Sequence, residues 1–539
     1  MSLLNEPISL QALCGLFSLT FLSHGLLLLN KGIYWDSWIL RKWVEKKEWR
    51  TMKVFYRAVG MPFFYYVHRS FNLSPNSIWL YRLVCFISLW STSALVFLIC
   101  HNFSPLDQWQ SFFIAAMMLM FPIQDMALEF CVTVQYVLTQ TLFYCAILLC
   151  FSLNDLNWGL DYLLLRSLMI ILFLMSFNMN SLLVFYGAFV FYFFVSQYLS
   201  LDQNISSLAL SNLDLFSLPF VFWFLKNKYS PKSGYYENYN KILLTFSQIR
   251  ASYKSLVVDL FFPFLKKVCA WSIPALSLLA ILHFSGLMST VLGHDSHPHS
   301  MLTLSLGLLV GSLLLLAATL PYSLVGQVFG YTGWETKNNL LLPLPLSIIA
   351  WSCIACLLQS HEFSIYLQTF LLLIFLLLCV DKHLLLISIW AKQEALLEIY
   401  AKEPAVKNSS IIGIHDEHPI QYGHLHTHPE YHFGAMTFIF WFLFGKLNKI
   451  GYQRFSSKLT ELPKHSIDEL KNGLAQNLID FDESKGQCIL RLSAPKRIPS
   501  FRKLAFFFIL KRLTSHKKAT TFVKSYIDYQ VFVITPKCQ

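Results

Sequence analysis

Trp35-Asp36-Ser37-Trp38 sets one carboxylate between two indole rings, shortly after an apolar run from Leu10 to Asn30. Indoles favour the membrane–water interface because the ring is largely apolar and its N–H is polar. A carboxylate held at that depth is partly desolvated, which raises its proton affinity and suits a general base. The same residue type there also caps a following helix by accepting its first free backbone N–H groups. A second acidic turn reads Phe121-Pro122-Ile123-Gln124-Asp125, with Glu129 four residues on. Carboxylates close to a bilayer are costly and often functional, and they also serve as helix caps. Between the two turns lies a basic amphipathic stretch containing Arg57-Ala58-Val59-Gly60-Met61-Pro62 and Arg69.

Histidine is the other chemically active residue type. His294, His297 and His299 share one loop, and His415, His418, His424, His426, His428 and His432 follow the last long apolar run. Imidazoles spaced this way suit a transition metal. His424, His426, His428 and His432 are the densest group and the candidate ligands, the alternative being a polar interfacial loop. An odd number of membrane crossings separates the two histidine groups, so no site is shared between them. The 12 cysteines lie mostly in apolar runs, as at Cys85, Cys145, Cys150 and Cys379, where they pack as small hydrophobes. Cys353 and Cys356 form a CxxC inside such a run, which argues against a redox or zinc site.

The elements that must position these groups are membrane helices. Of 539 residues 55% are hydrophobic and 13% charged, against about 25% charged in soluble domains. Apolar runs long enough to cross hydrocarbon must be helical, because lipid offers the backbone no hydrogen-bond partners. Spans are read at 8–30, 78–100, 109–121, 128–152, 160–177, 181–199, 213–225, 266–290, 301–326, 339–358 and 363–390, of which 109–121 and 213–225 are short for a full crossing and are expected tilted or broken. The expected fold is thus an all-α polytopic membrane protein of about eleven spans over residues 1–390. A small α+β domain, docked on the membrane, follows over 391–539. Within it 488–492 and 530–535 read as strands and 466–478 as helix, while the apolar patches 433–444 and 504–510 are expected flat at the interface. The first run follows an acidic residue and has no small-residue cleavage site, so it is expected to be retained.

Of the 42 Lys and Arg, 38 fall in 31–77, in 226–267 or after residue 390, while the loops 101–108, 153–159, 200–212, 291–300 and 359–362 contain none. The three basic segments therefore share one side of the membrane, which the positive-inside rule makes cytoplasmic. The basic tail points to anionic lipid headgroups rather than nucleic acid. No P-loop, dinucleotide fingerprint or serine elbow is present.

The order of features from about residue 10 to 200 resembles bacterial members of the C-type glycosyltransferase superfamily (GT-C). Tyr34-Trp35-Asp36-Ser37-Trp38 is similar to the family's acidic first loop, Arg57 to Pro62 to its R-x-x-G-x-P element, and Phe121-Pro122 to the turn ending its third span. Arg166, Ser181-Leu182-Leu183 and Leu320-Pro321-Tyr322 stand where further recurrent elements are expected. The resemblance implies sugar transfer from a polyprenyl-phosphate-linked donor to a lipid or protein acceptor, outside the cytoplasm, in a bacterial inner membrane. It implies Asp36 as general base, Asp125 or Glu129 as the second-loop acid, and Arg57 and Arg69 on the donor phosphate. The family often pairs acids in the first loop; here Ser37 follows Asp36, which leaves the use of a divalent metal ion open. The resemblance puts the first loop outside the cytoplasm and the charge asymmetry puts it inside. A transporter or flippase of an anionic lipid or solute would use the same basic face, but calls for charged or broken helices near the midplane; a non-catalytic scaffold is the third reading.

Overall fold

The computed structural model describes residues 7–34, 37–71, 77–124, 134–153, 159–201, 205–232, 241–242, 245–286, 301–332, 334–358, 361–416, 432–444, 449–453, 487–493 and 499–534. The chain begins with α1 (Pro7–His24) and a one-turn α2 (Leu26–Leu29). Three amphipathic helices follow, α3 (Ser37–Glu45), α4 (Trp49–Ala58) and α5 (Pro62–Phe71). The bundle continues with α6 (Ser77–Phe103), α7 (Gln108–Met120), α8 (Val134–Ser152), α9 (Leu160–Ser176) and α10 (Leu182–Leu201). Next come α11 (Ile205–Ser211), α12 (Leu213–Tyr229), α13 (Phe246–Phe284) and α14 (Met301–Leu324). A 3-10 turn at Trp334–Asn339 leads to α15 (Pro343–Leu357) and α16 (His361–Lys402).

Among the described residues five helices, α6, α8, α13, α14 and α16, are long and apolar enough to cross a membrane, and the shorter apolar helices include Leu10–His24, Leu182–Tyr198 and Pro343–Leu357. Large apolar side chains point outward along them, Phe284 at 87% and Ile273 at 76% exposure among others. In water such a surface would aggregate; in lipid it is the solvated one. Helix starts follow local chemistry. Asp107 accepts the Gln110 backbone N–H (2.8 Å) while the Gln110 carboxamide oxygen accepts the Asp107 N–H, a capping box that opens α7. Pro343 opens α15, where its missing N–H costs nothing. Helices α14 and α15 pack closely because Gly307 and Gly311 lack side chains: a Cβ on Gly311 would lie 2.7 Å from Ile349 Cγ1.

Several boundaries differ from the hydropathy reading. Helix α16 is 42 residues long, about 60 Å, and continues past residue 390. Helix α13 is 39 residues long and starts at Phe246, twenty residues before the apolar run, with a π-turn at Leu256–Phe261. Hydropathy marks where charge begins, whereas the helix ladder continues wherever packing supports it. The tail supplies that support for α16.

The tail begins with α17 (Pro404–Asn408) and β1 (Ile411–Asp416), then α18 (His432–Phe444), β2 (Ile450–Gln453) and β3 (Gln487–Ser493), and ends with α19 (Phe501–Thr514), α20 (His516–Lys524) and β4 (Asp528–Ile534). The sheet runs β2-β1-β3-β4. Strand β1 lies parallel to both neighbours, with Ile411 opposite Ile450 and Gln487, and β4 returns antiparallel with Ile534 opposite Gln487. Both faces of β1 are buried over Ile411–Ile414, as a central parallel strand requires. The two expected strands are thus found, 488–492 as β3 with one more residue at each end and 530–535 as β4 starting two residues earlier and ending at Ile534, and 466–478 lies outside the described residues. The 433–444 patch does not lie flat on a membrane: Ile439, Phe440 and Trp441 of α18 are buried between α3 and the sheet. Helix α19 does keep Phe506, Phe507, Leu510 and Leu513 exposed.

The tail is fastened to α16 by ion pairs. Arg512 (2.8 Å) and His516 (2.7 Å) meet Glu394, and Arg502 meets Asp381 (2.6 Å). Buried Lys449 donates to the carbonyls of Val406 (3.0 Å), Lys407 (2.9 Å) and Ser409 (2.6 Å). Those carbonyls lie at the end of α17, where a cation offsets unsatisfied oxygens.

Candidate active site

The three basic segments meet at one end of the bundle. Arg57 at the end of α4 donates its Nε–H to the Tyr229 carbonyl at the end of α12 (3.3 Å). Arg41 of α3 sits over the Phe442 ring (4.2 Å), tying the first basic segment to the tail, and Arg502 of the tail sits over the Trp271 ring of α13 (4.8 Å).

The acid of the first loop, Asp36, lies outside the described residues, as do Asp125, Glu129, His424, His426 and His428. His432 is the first residue of α18. The described residues contain no cluster of three His, Cys, Asp or Glu side chains. What the fold shows in detail is how the borders of both acidic loops are held.

Residues 30–34 are clamped from two helices, α6 and α16. Arg82, 2% exposed within the apolar α6, donates to the carbonyls of Asn30 (3.2 Å) and Gly32 (3.0 Å). Gln393 of α16 accepts the Ile33 N–H (3.0 Å) and donates back to the Ile33 carbonyl. The Tyr34 hydroxyl donates to the Leu386 carbonyl (2.7 Å) and accepts from Asn30 Nδ2 (3.0 Å). The Ser37 N–H closes the turn onto the Tyr34 carbonyl (3.1 Å). Trp38 is not at an interface: it is wholly buried against Phe442 (5.3 Å between rings), because α18 of the tail covers it.

The second loop is gripped in the same manner. Asn339 donates to the carbonyls of Ile123 (2.8 Å) and Gly330 (2.7 Å). Gln124, next to Asp125, donates to the Leu340 carbonyl (2.9 Å), as does Gln140 (2.8 Å). The Cys379 thiol donates to the Met120 carbonyl (3.1 Å). The contacts at Cys379 and Leu386 are two turns apart on α16, about 10 Å.

Arg57 and Arg69 part company in the fold. Arg57 reaches across to α12, whereas Arg69 stays on its own helix and donates to the Tyr65 hydroxyl (3.0 Å). Its neighbour His68 is fully buried between the Tyr81 hydroxyl (2.9 Å) and Gln135 Oε1 (3.3 Å), stacked on Tyr56. Burial pushes the His68 imidazole down to about 3, so it stays neutral and ties α5 to α6 and α8 rather than carrying protons. Of the other motif residues, Tyr322 donates to Ser181 (3.2 Å), joining two of them. Arg166 makes a two-pronged ion pair with Asp214 (2.7 and 2.6 Å) that locks α9 to α12 at the opposite end.

Asn30, Arg82, Gln393, Asn339 and His68 are absent from the sequence reading of the site. Only Arg82 carried a signal, as a lone cation within an apolar run. Arg82→Met removes the donor to two buried carbonyls and should cost about 2–4 kcal/mol. The measurement is the thermal midpoint in detergent, and an unchanged midpoint would contradict the clamp.

These features define an α-helical membrane-type fold with a small sheet domain fastened to its basic end. No protein-family model, no curated protein and no solved structure matches the chain.

Proposed function

We propose that the protein is a bacterial inner-membrane enzyme of about eleven spans, similar to C-type glycosyltransferases, which moves a sugar from a polyprenyl-phosphate-linked donor to a lipid or protein acceptor. Asp36 takes the proton from the acceptor hydroxyl. The acceptor oxygen attacks the anomeric carbon, and the carbon–oxygen bond to phosphate breaks, its electron pair leaving with the polyprenyl phosphate. Asp125 or Glu129 supplies the second carboxylate, and Arg57 offsets the phosphate charge. Arg69, whose partner is on its own helix, is the weaker phosphate ligand.

One observation carries this reading. The residues bordering both acidic loops are fastened to one stretch of α16, about 10 Å apart, at the end of the bundle where the basic segments converge. A reaction that needs a base and phosphate-binding cations together is served by such convergence.

The test is transfer by purified protein in liposomes supplied with a polyprenyl-phosphate-linked sugar, with chromatographic detection of the glycosylated acceptor. Counterflow of an anionic solute without any transfer would replace the enzyme by a transporter. Reporter fusions after residue 77 and at the C-terminus fix the side. Activity of both on the outer face is the expected result, and location of both inside would rule out an outer-face reaction.

A further inference from the structure

The two edges of the tail sheet are finished differently. At the outer edge of β2 the Thr437 hydroxyl of α18 accepts the Gly451 N–H (3.1 Å) and donates to the Gly451 carbonyl (3.1 Å). A helix thus takes the hydrogen bonds that another strand would make there. At the other edge β4 runs from Asp528 to Ile534 in unbroken register with β3, without proline or bulge. Its one charge, Asp528, stands at its start. Among the described residues no strand pairs with its outer side. Tyr529, Phe532 and Val533 are 42%, 38% and 63% exposed. Edge strands are ordinarily shielded by a lysine, a proline, a bulge or a covering helix. A long apolar edge without such shielding is a template for another extended chain.

We propose that the outer edge of β4 receives an extended, acidic-flanked segment of another protein, which adds a further strand to the sheet. Residues 491–539, which include β4, carry 11 Lys and Arg against a single acid, Asp528. Charge of one sign steers an acidic segment in and turns a basic one away. The geometry excludes a second copy of this chain as the occupant. Helix α16 ends at Lys402, and Asp416, the last residue of β1, meets Lys392 ten residues before that end. Strand β1 therefore runs back along α16, and the strands lie along the bundle axis. Antiparallel pairing of β4 with its own copy would reverse the bundle together with the strand, so the two copies would be inverted relative to each other in one membrane. Parallel self-pairing about a two-fold axis would set N–H against N–H, because both copies present the same groups at the same height. A different chain meets neither obstacle. The inference is independent of sugar transfer.

The full chain in nanodiscs of neutral lipid is titrated with a fluorescent peptide, Asp-Glu-Thr-Val-Tyr-Val-Thr-Asp-Glu, and followed by anisotropy. This peptide should bind roughly 10-fold more tightly than one with lysine flanks. It should exceed by a similar factor a copy N-methylated at the three central residues, which keeps the side chains and loses the donors. Successive residues of β4 send their N–H groups alternately to β3 and outward. One of Val531→Pro and Phe532→Pro therefore removes only an outward donor, a change an edge strand tolerates. That variant should bind the peptide roughly 10-fold more weakly with an unchanged melting curve. Val533→Glu, at an exposed position, serves where neither proline variant folds. Absence of binding, equal binding of the N-methylated copy, or unaltered binding by the folded variants would overturn the edge. Equal binding of the lysine-flanked peptide would overturn the acidic partner. Protection of the β4 amides from hydrogen exchange in nanodiscs of anionic lipid, with no peptide added, would assign the edge to the membrane instead.

Discussion

Asp36→Asn should lower sugar transfer by about 10²- to 10⁴-fold, the usual contribution of a positioned general base. The substitution keeps the size and polarity of the side chain and removes its ability to take a proton. The supports of the loop should survive, because they come from elsewhere. Arg82 holds the Asn30 and Gly32 carbonyls, Gln393 brackets Ile33, and the Leu386 carbonyl receives the Tyr34 hydroxyl. Expression and thermal midpoint are therefore expected to match the wild type, with the loss confined to kcat. Initial rates of the purified variant, measured beside its melting curve, check this. Activity within a few-fold of wild type, in a folded variant, would remove Asp36 from the chemistry. A transporter would tolerate the same substitution.

Asp416→Ala should destabilise the docking of the tail by about 3–5 kcal/mol, the cost of leaving a buried charge without its partner. Lys392 Nζ meets Asp416 Oδ2 at 2.5 Å, with side-chain exposures of 0% and 3%. The pair joins α16 to the last residue of β1, the strand that both parallel neighbours pair with. Its loss acts on the whole sheet. A matched apolar pair, Lys392→Met with Asp416→Leu, should recover most of the stability, since burying two charges itself costs desolvation. Scanning calorimetry in detergent and limited proteolysis of the tail measure both variants. A single variant as stable as the wild type would show that the pair contributes nothing to docking.

The two substitutions separate chemistry from architecture. Asp36→Asn reads the loop's reaction with its supports intact, whereas Asp416→Ala reads the attachment of the tail with the loop sequence intact. Any loss of transfer in Asp416→Ala would run through α3 and Trp38, which α18 covers.

Much was legible in the amino-acid order alone. Charge-poor apolar runs predict membrane helices, because lipid leaves the backbone no other partners. The clustering of 38 of 42 cations predicts one basic end, because crossing parity is a counting matter. Strands β3 and β4 were visible as short apolar runs rich in β-branched and aromatic residues, as in Gln530-Val531-Phe532-Val533-Ile534. Tertiary structure decided what local pattern does not encode. Tyr34 finds its acceptor 352 residues away, Gln393 grips Ile33 across 360, and Gln124 reaches Leu340 across 216. Trp38 reads as interfacial by type and becomes core because a helix from the far end of the chain covers it. Helix α16 outruns its apolar segment because the tail buries Ala391, Ala395 and Ile399. Composition sets which residues must leave water; only the folded chain determines which distant groups meet to receive them.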